Sequence, residues 1–210
     1  MKIIKEKSKD AVKEAIKAIK SGEVLVLATD TIYGLAADAT SRKAADKIFK
    51  IKNRQMSKPL PVFLKDINMA KKIANINKNQ EKFLKEVWPG KVTVVLERKK
   101  GSNISKNIFG NKKTIGLRWP NYKFVNFLMN QTKKPLTGTS ANISGEGNIS
   151  EIKKIINQFE GKKYRPDLII DSGNLKKCKA STVVDFTKET PEILRIGEVS
   201  KDKILKIIRE

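Results

Sequence analysis

Val24-Leu25-Val26-Leu27-Ala28 is an unbroken apolar run, and it lies between two segments with helical periodicity. Upstream, Val12, Ala15, Ile16 and Ile19 recur at the spacing of one helix face, and Gly22 is placed to end that helix. Downstream, Ser41 can cap a helix carrying Ala44, Ala45, Ile48 and Phe49 on one side. A short run that is apolar at every position reads as a strand covered on both faces. Helix, buried strand, helix is the unit from which an α/β domain is built.

The alternation continues outward from that run. Leu60 to Leu64 reads as a strand, Asn68 to Val87 as two lysine-rich helices, and Trp88-Pro89-Gly90 breaks the second. Val92 to Leu96 and Thr114 to Leu117 read as strands, Tyr122 to Asn130 as a helix, and Pro135 to Thr139 as extended chain. Ser150 to Phe159 is helical in pattern. Leu168 to Ile170, Thr182 to Phe186 and Glu192 to Ile196 are strand-like, and Lys201 to Ile208 forms a closing helix. The polar stretch Lys99 to Lys113 reads as the longest surface loop, and the opening MKIIKEKSKDAVKEAIKAIK as an amphipathic helix. With no repeat, linker or shift in composition, the pattern predicts one α/β domain over residues 1–210, with helices on the faces of a mixed sheet.

Two scarcities narrow the chemistry. The chain has no histidine, which excludes Ser-His-Asp and Cys-His catalysis and every His-ligated metal site. Cys178 is its one cysteine, so neither an internal disulfide nor a thiolate zinc cluster can form. Chemistry must then run on Lys, Arg, Ser, Thr, Asn, Asp and backbone amides, which suits phosphate esters, where positioning and charge neutralisation dominate. The net charge of +23 has two readings. One is attraction to nucleic acid. The other is an AT-rich coding bias that fills solvated helix faces with lysine. No apolar window nears the ~18 residues of a membrane span, and the opening segment is too charged for a signal peptide, so the expected location is cytoplasmic.

Three segments carry candidate chemistry. Thr29-Asp30-Thr31-Ile32-Tyr33-Gly34-Leu35 follows the first buried strand, and hydroxyls there beside a glycine suit a small polar ligand or a capped turn. Lys52-Asn53-Arg54-Gln55-Met56-Ser57-Lys58-Pro59 gathers three cations where the chain leaves a helix. Lys52 and Arg54 would share a side in an extended backbone and could hold a polyphosphate, or the cations could complement the helix dipole. Thr137-Gly138-Thr139-Ser140-Ala141-Asn142-Ile143-Ser144-Gly145 is rich in small hydroxyls and glycine. Its backbone can face an anion or cap the next helix, and it is neither a Walker A loop nor a GxGxxG turn.

Together these segments resemble the YrdC/TsaC family, with its TDTVYGL strand end, KxRP-containing loop and SAN signature. The resemblance continues in order through Trp88-Pro89-Gly90, Thr114-Ile115-Gly116-Leu117-Arg118, Ser181-Thr182-Val183-Val184-Asp185 and Ile193-Leu194-Arg195-Ile196-Gly197. It implies a twisted open α/β sheet with a concave basic cavity. The implied activity is L-threonylcarbamoyladenylate synthesis from threonine, bicarbonate and ATP, with release of pyrophosphate, for tRNA modification. By position, Thr31, Arg118, Gly138 and Ser181 would contact threonine. Arg54, Lys58, Thr114, Ser140, Asn142, Asn148 and Arg195 would hold ATP, Asn148 standing where the family often has serine. Lys52, Arg54 and Lys58 would relieve repulsion between the anionic carbamate and the phosphates, with no acid–base residue required. Mg²⁺ would arrive with ATP, with no protein metal site. The product would pass to a TsaD-type transferase complex, and weak RNA affinity would accompany the charge. Phe63 stands where some relatives have histidine, Ala28 where proline is usual, and the chain corresponds to the family's short form. The rival is a non-catalytic protein that binds double-stranded RNA or rRNA in the same cavity.

Overall fold

The computed structural model describes residues 1–110 and 112–209. Its elements, in chain order, begin with β1 (Lys2–Lys5), α1 (Ala11–Lys20), β2 (Leu25–Leu27), β3 (Gly34–Ala36), α2 (Arg42–Lys52) and β4 (Val62–Phe63). Then come α3 (Ile67–Ile73), α4 (Lys78–Val87), β5 (Val92–Glu97), α5 (Lys106–Phe109), β6 (Thr114–Arg118) and α6 (Lys123–Thr132). The chain closes with β7 (Leu136–Thr137), β8 (Thr139–Ser140), α7 (Ile152–Phe159), β9 (Leu168–Asp171), β10 (Thr182–Asp185), β11 (Glu192–Arg195) and α8 (Lys201–Arg209). The α/β class and the mixed strand pairing agree with the sequence reading, but the strands form two sheets rather than one. One sheet runs β1-β9-β2-β3-β8 and the other β11-β10-β5-β6-β4-β7.

The all-apolar run at Val24 earns its composition by serving two cores. Val24 and Val26 join the larger cluster with α2, α7 and the second sheet's β5 and β6. Leu25 and Leu27 point the other way, against α1 and α6. β9 repeats this division, with Ile169 in the first cluster and Leu168 and Ile170 in the second. Alternate side chains of a strand face opposite sides, so a strand with a layer on each face must be apolar throughout.

Several elements were hidden in the pattern. The opening segment is not one helix: residues 2–5 form β1, parallel to β9, and α1 begins only at Ala11. Ile3 and Ile4 are adjacent, which supplies no helical stripe, and β9 offers them a backbone partner. Gly34–Ala36, read only as part of a ligand motif, is a strand between β2 and β8. The Lys99–Lys113 stretch contains α5, anchored by buried Ile108 and Phe109, while Asn111 within it lies outside the described residues. Elsewhere Ser41 caps α2 as expected, its Oγ accepting from the Ala44 amide at 3.3 Å.

The two sheets meet where the chain steps from one to the other. β7 belongs to the second sheet and β8 to the first, and Gly138 alone separates them. A Cβ at Gly138 would lie 2.3 Å from the Phe63 ring, so the ring of β4 rests on bare backbone there. Gly197, just after β11, is equally constrained, since its Cβ would lie 2.1 Å from the Ala180 carbonyl oxygen. Gly197→Ala should therefore push the end of β11 off the strand that follows Ala180. The expected cost is about 1–3 kcal/mol, as for other overpacked sites, measured by urea denaturation. An unchanged midpoint would show that the contact relaxes freely.

Candidate functional site

A cavity of about 170 Å³ opens at this junction, lined from both sheets and from the loops after α2 and β8. Thr29 and Thr31 reach it from the loop after β2, and Arg118 from the end of β6. Gly138 and Ser140 belong to the sheet crossover, Ser181 and Arg195 to the β10–β11 arm, and Arg54 and Asn148 to loops. Eight of the residues expected at a site thus converge: Thr31, Arg54, Arg118, Gly138, Ser140, Asn148, Ser181 and Arg195. The volume falls below the 300–1,000 Å³ typical of drug-sized ligands, so it suits a group the size of one amino acid.

The three arginines are held in different ways. Arg118 is buried and has a counter-ion: its Nη2 donates to Asp30 Oδ1 at 2.6 Å. Its Nη1 donates to Thr31 Oγ1 at 3.1 Å and its Nε to the Gly90 carbonyl at 2.9 Å. A guanidinium has five N–H groups, so two remain for a ligand. Burial pulls the Arg118 pKa down, and the Asp30 charge draws it back up. Arg54 and Arg195, by contrast, rest on neutral carbonyls. Arg54 donates to Lys58 O and Pro59 O, both at 3.1 Å, and Arg195 donates twice to Ser181 O, at 2.9 and 3.1 Å. Partial burial lowers the pKa of both. Among the described residues neither guanidinium pairs with a carboxylate, so both charges stay uncompensated.

Lys52 does not join them. It ends α2, Asn53 turns left-handed at φ 47°, and the chain departs so that Lys52 points inward while Arg54 lines the cavity. The shared side expected of an extended backbone is therefore absent. The Lys52 ammonium donates to Ser140 O at 2.6 Å, Asn142 O at 2.7 Å and Asn142 Oδ1 at 2.9 Å, which uses all three of its protons. Burial, with the nearby Arg54 charge adding, pulls its pKa down to about 8. Its place is under the floor of the cavity, where it ties α2 to the turn that carries Ser140. Asn142 is part of the same brace: its Oδ1 also accepts from Ser140 Oγ at 2.6 Å and its Nδ2 donates to Glu146 O and Gly147 O. Lys58 is exposed and Thr114 sits at the far end of β6, and neither lines the cavity.

Two residues, Asp30 and Thr93, escaped the sequence reading. Asp30 stands within a recognised motif, and an acid next to an apolar run was the signal that it meets a buried cation. Thr93, a lone hydroxyl inside the apolar β5, lines the cavity and pairs with Ser181 Oγ at 2.8 Å. Phe63 forms an apolar wall, with the Arg118 guanidinium 5.9 Å from its ring centre. Among the described residues, no three His, Cys, Asp or Glu side chains gather to hold a metal, and Asp30, the acid beside Arg118, is already engaged.

Comparison with known proteins places this geometry. Residues 17–197 match the Sua5/YciO/YrdC family model, described as telomere recombination. The chain is 31% identical over 193 residues to the threonylcarbamoyl-AMP synthase of Pyrococcus abyssi, covering 91% of this chain and 55% of that one. It therefore spans about half the length of that relative. The crystal structure of P. abyssi Sua5 complexed with L-threonine superposes with a TM-score of 0.90 at 28% identity, over 99% of this chain and 60% of the other. The solution structure of MTH1692 from Methanobacterium thermoautotrophicum matches with a TM-score of 0.71 at 30% identity, over 93% and 90% of the two chains.

Two measurements check the braces around this cavity. Asp30→Asn and Arg118→Met each leave a buried group without its partner and should cost about 3–5 kcal/mol in urea denaturation, whereas the double variant should cost far less than their sum. Additive losses would mean that the pair is not coupled. For Lys52, the folded pKa near 8 lies below the unfolded 10.5, so the unfolded chain binds more protons between those values. Wild type should thus gain up to about 3 kcal/mol relative to Lys52→Met as pH rises from 8 to 10.5, with a flat difference below pH 8.

Proposed function

Because this chain belongs to the Sua5/YciO/YrdC family, we propose that it is an L-threonylcarbamoyladenylate synthase that joins threonine, bicarbonate and ATP. The observation that carries the reading is the division of labour among the arginines. Arg118 is neutralised by Asp30 and flanked by the hydroxyls of Thr31 and Ser181, whereas Arg54 and Arg195 keep their charge. An amino-acid carboxylate meets the two free N–H groups of Arg118. The triphosphate lies over Arg54, Arg195 and Ser140 and extends beyond the small cavity. The apolar face of Phe63 packs against the substrate methyl.

The reaction asks little of acids and bases. The threonine amine adds to bicarbonate, forming the C–N bond with loss of water, and yields a carbamate. A carbamate oxygen then attacks the α-phosphorus of ATP, and the bond to the bridging oxygen breaks as pyrophosphate leaves with the electron pair. The nucleophile is already an anion, so the main obstacle is repulsion between it and the phosphates. Two uncompensated guanidinium groups relieve that repulsion where it peaks. Mg²⁺ would accompany ATP and screen its phosphate charge, with no residue of this chain assigned to hold it. Lys52 acts as a positioning residue through the Ser140 turn. A TsaD-type transferase is the proposed receiver of the adenylate, in the cytoplasm, and no helix among the described residues is long and apolar enough to cross a membrane.

The test is pyrophosphate release that requires threonine, bicarbonate and ATP together. Valine should be a poor substitute, since its second methyl leaves the cavity hydroxyls unpaired. Arg54→Ala should slow release about a hundredfold, the usual scale for one lost charge-assisted contact in a transition state. Release that proceeds without bicarbonate, or is unchanged in Arg54→Ala, would contradict the proposal.

A further inference from the structure

The outer face of α2 carries charge that the cavity does not use. Lys43, Lys47 and Lys50 follow one another at i, i+4 and i+7, which places them on one stripe of the helix. Beside the stripe, the exposed segment Gly161-Lys162-Lys163-Tyr164-Arg165 forms a tip after α7. Tyr164 is 43% exposed, and two ammonium groups lie over its ring: Lys50 Nζ at 5.6 Å from the ring centre and Lys163 Nζ at 5.7 Å. Of the stripe, only Lys47 meets an acid among the described residues. Asp167 holds Lys47 at 2.5 Å and accepts from the Val24 amide, while Asp46 accepts from Asn107 and faces Arg42. Glu160, at the end of α7, is the remaining carboxylate near the tip in sequence. Among the described residues Lys43, Lys50, Lys162, Lys163 and Arg165 form no ion pair with Asp or Glu.

We propose that this face binds single-stranded RNA, with an unpaired base stacked on Tyr164 and the flanking phosphates held by Lys43, Lys50 and Lys163. The combination selects the ligand. Cations alone attract any polyanion, but an exposed aromatic ring between them offers a stacking surface that only an unstacked base can use. A duplex keeps its bases inside, and an anionic membrane would ask for more than one apolar side chain at the tip. The stripe also leads somewhere: α2 ends at Lys52, and two residues later Arg54 lines the cavity. RNA lying along α2 would therefore reach toward the cavity from outside without occupying it. This assignment does not depend on the proposed synthase activity.

Fluorescence anisotropy with a short labelled oligouridylate, across a salt series, tests it. Tyr164→Ala should weaken binding about tenfold with an unchanged salt slope, whereas Tyr164→Phe should bind like wild type. Lys50→Ala combined with Lys163→Ala should reduce the slope of log affinity against log salt by about 1.4, two phosphate contacts at ~0.7 each. The matched loss of charge on α8, Lys203→Ala with Lys206→Ala, should leave affinity within about twofold. All these positions are exposed, so unchanged thermal melting checks that the variants fold. The proposal is overturned if Tyr164→Ala binds like wild type, or if duplex RNA binds as tightly as single-stranded RNA. It is also overturned if anionic vesicles bind in preference to RNA, or if wild type does not bind the oligonucleotide.

Discussion

A buried ion pair joins the two halves of this molecule. Asp30 hangs from the strand at the centre of one sheet, Arg118 ends a strand of the other, and they meet at 2.6 Å with almost no access to solvent. Pairs of this kind add little to net stability, because desolvating two charges offsets most of their attraction. What they provide is placement. Arg118 is also held by Thr31 and Gly90, so its guanidinium has one orientation. Asp30 retains one buried oxygen with no partner. A purely structural position would not need a carboxylate with an unsatisfied oxygen, which argues that the site, rather than the core, explains its presence.

Around that pair the chain repeats one solution: cations are fixed by neutral oxygens of the backbone. Lys52 is tied to the Ser140–Asn142 turn, Arg54 to Lys58 and Pro59, and Arg195 to Ser181. Carbonyls orient a positive group without cancelling its charge. This is how a chain without histidine can prepare a site for anions. The placement is done by folding and does not have to be created when the ligand arrives.

The fold was largely legible because its signals are local. The Val24–Ala28 run, the Ser41 cap and the breaks at Gly22 and Trp88 each report on a few neighbouring residues. β1 was illegible because a short strand with exposed side chains depends on a partner, β9, more than 160 residues away. The site shows the same division. Motifs located Thr31, Arg54, Gly138, Ser140, Ser181 and Arg195 at one cavity, yet Lys52 turned inward because a single left-handed residue, Asn53, reverses the expected side. Spacing in sequence cannot express that reversal. Nor could it show that Arg118 meets Asp30, since one ends a strand of one sheet and the other lies in a loop of the other sheet.

The central claim is that one arginine, neutralised by Asp30, receives a carboxylate, while two uncompensated arginines receive phosphates. A crystal structure with L-threonine and a non-hydrolysable ATP analogue tests this most directly. The account predicts the threonine carboxylate on Arg118, with the Asp30 contact kept, and the phosphates among Arg54, Arg195 and Ser140. A nucleotide bound elsewhere, with Arg54 and Arg195 still closed on their carbonyls, would contradict it.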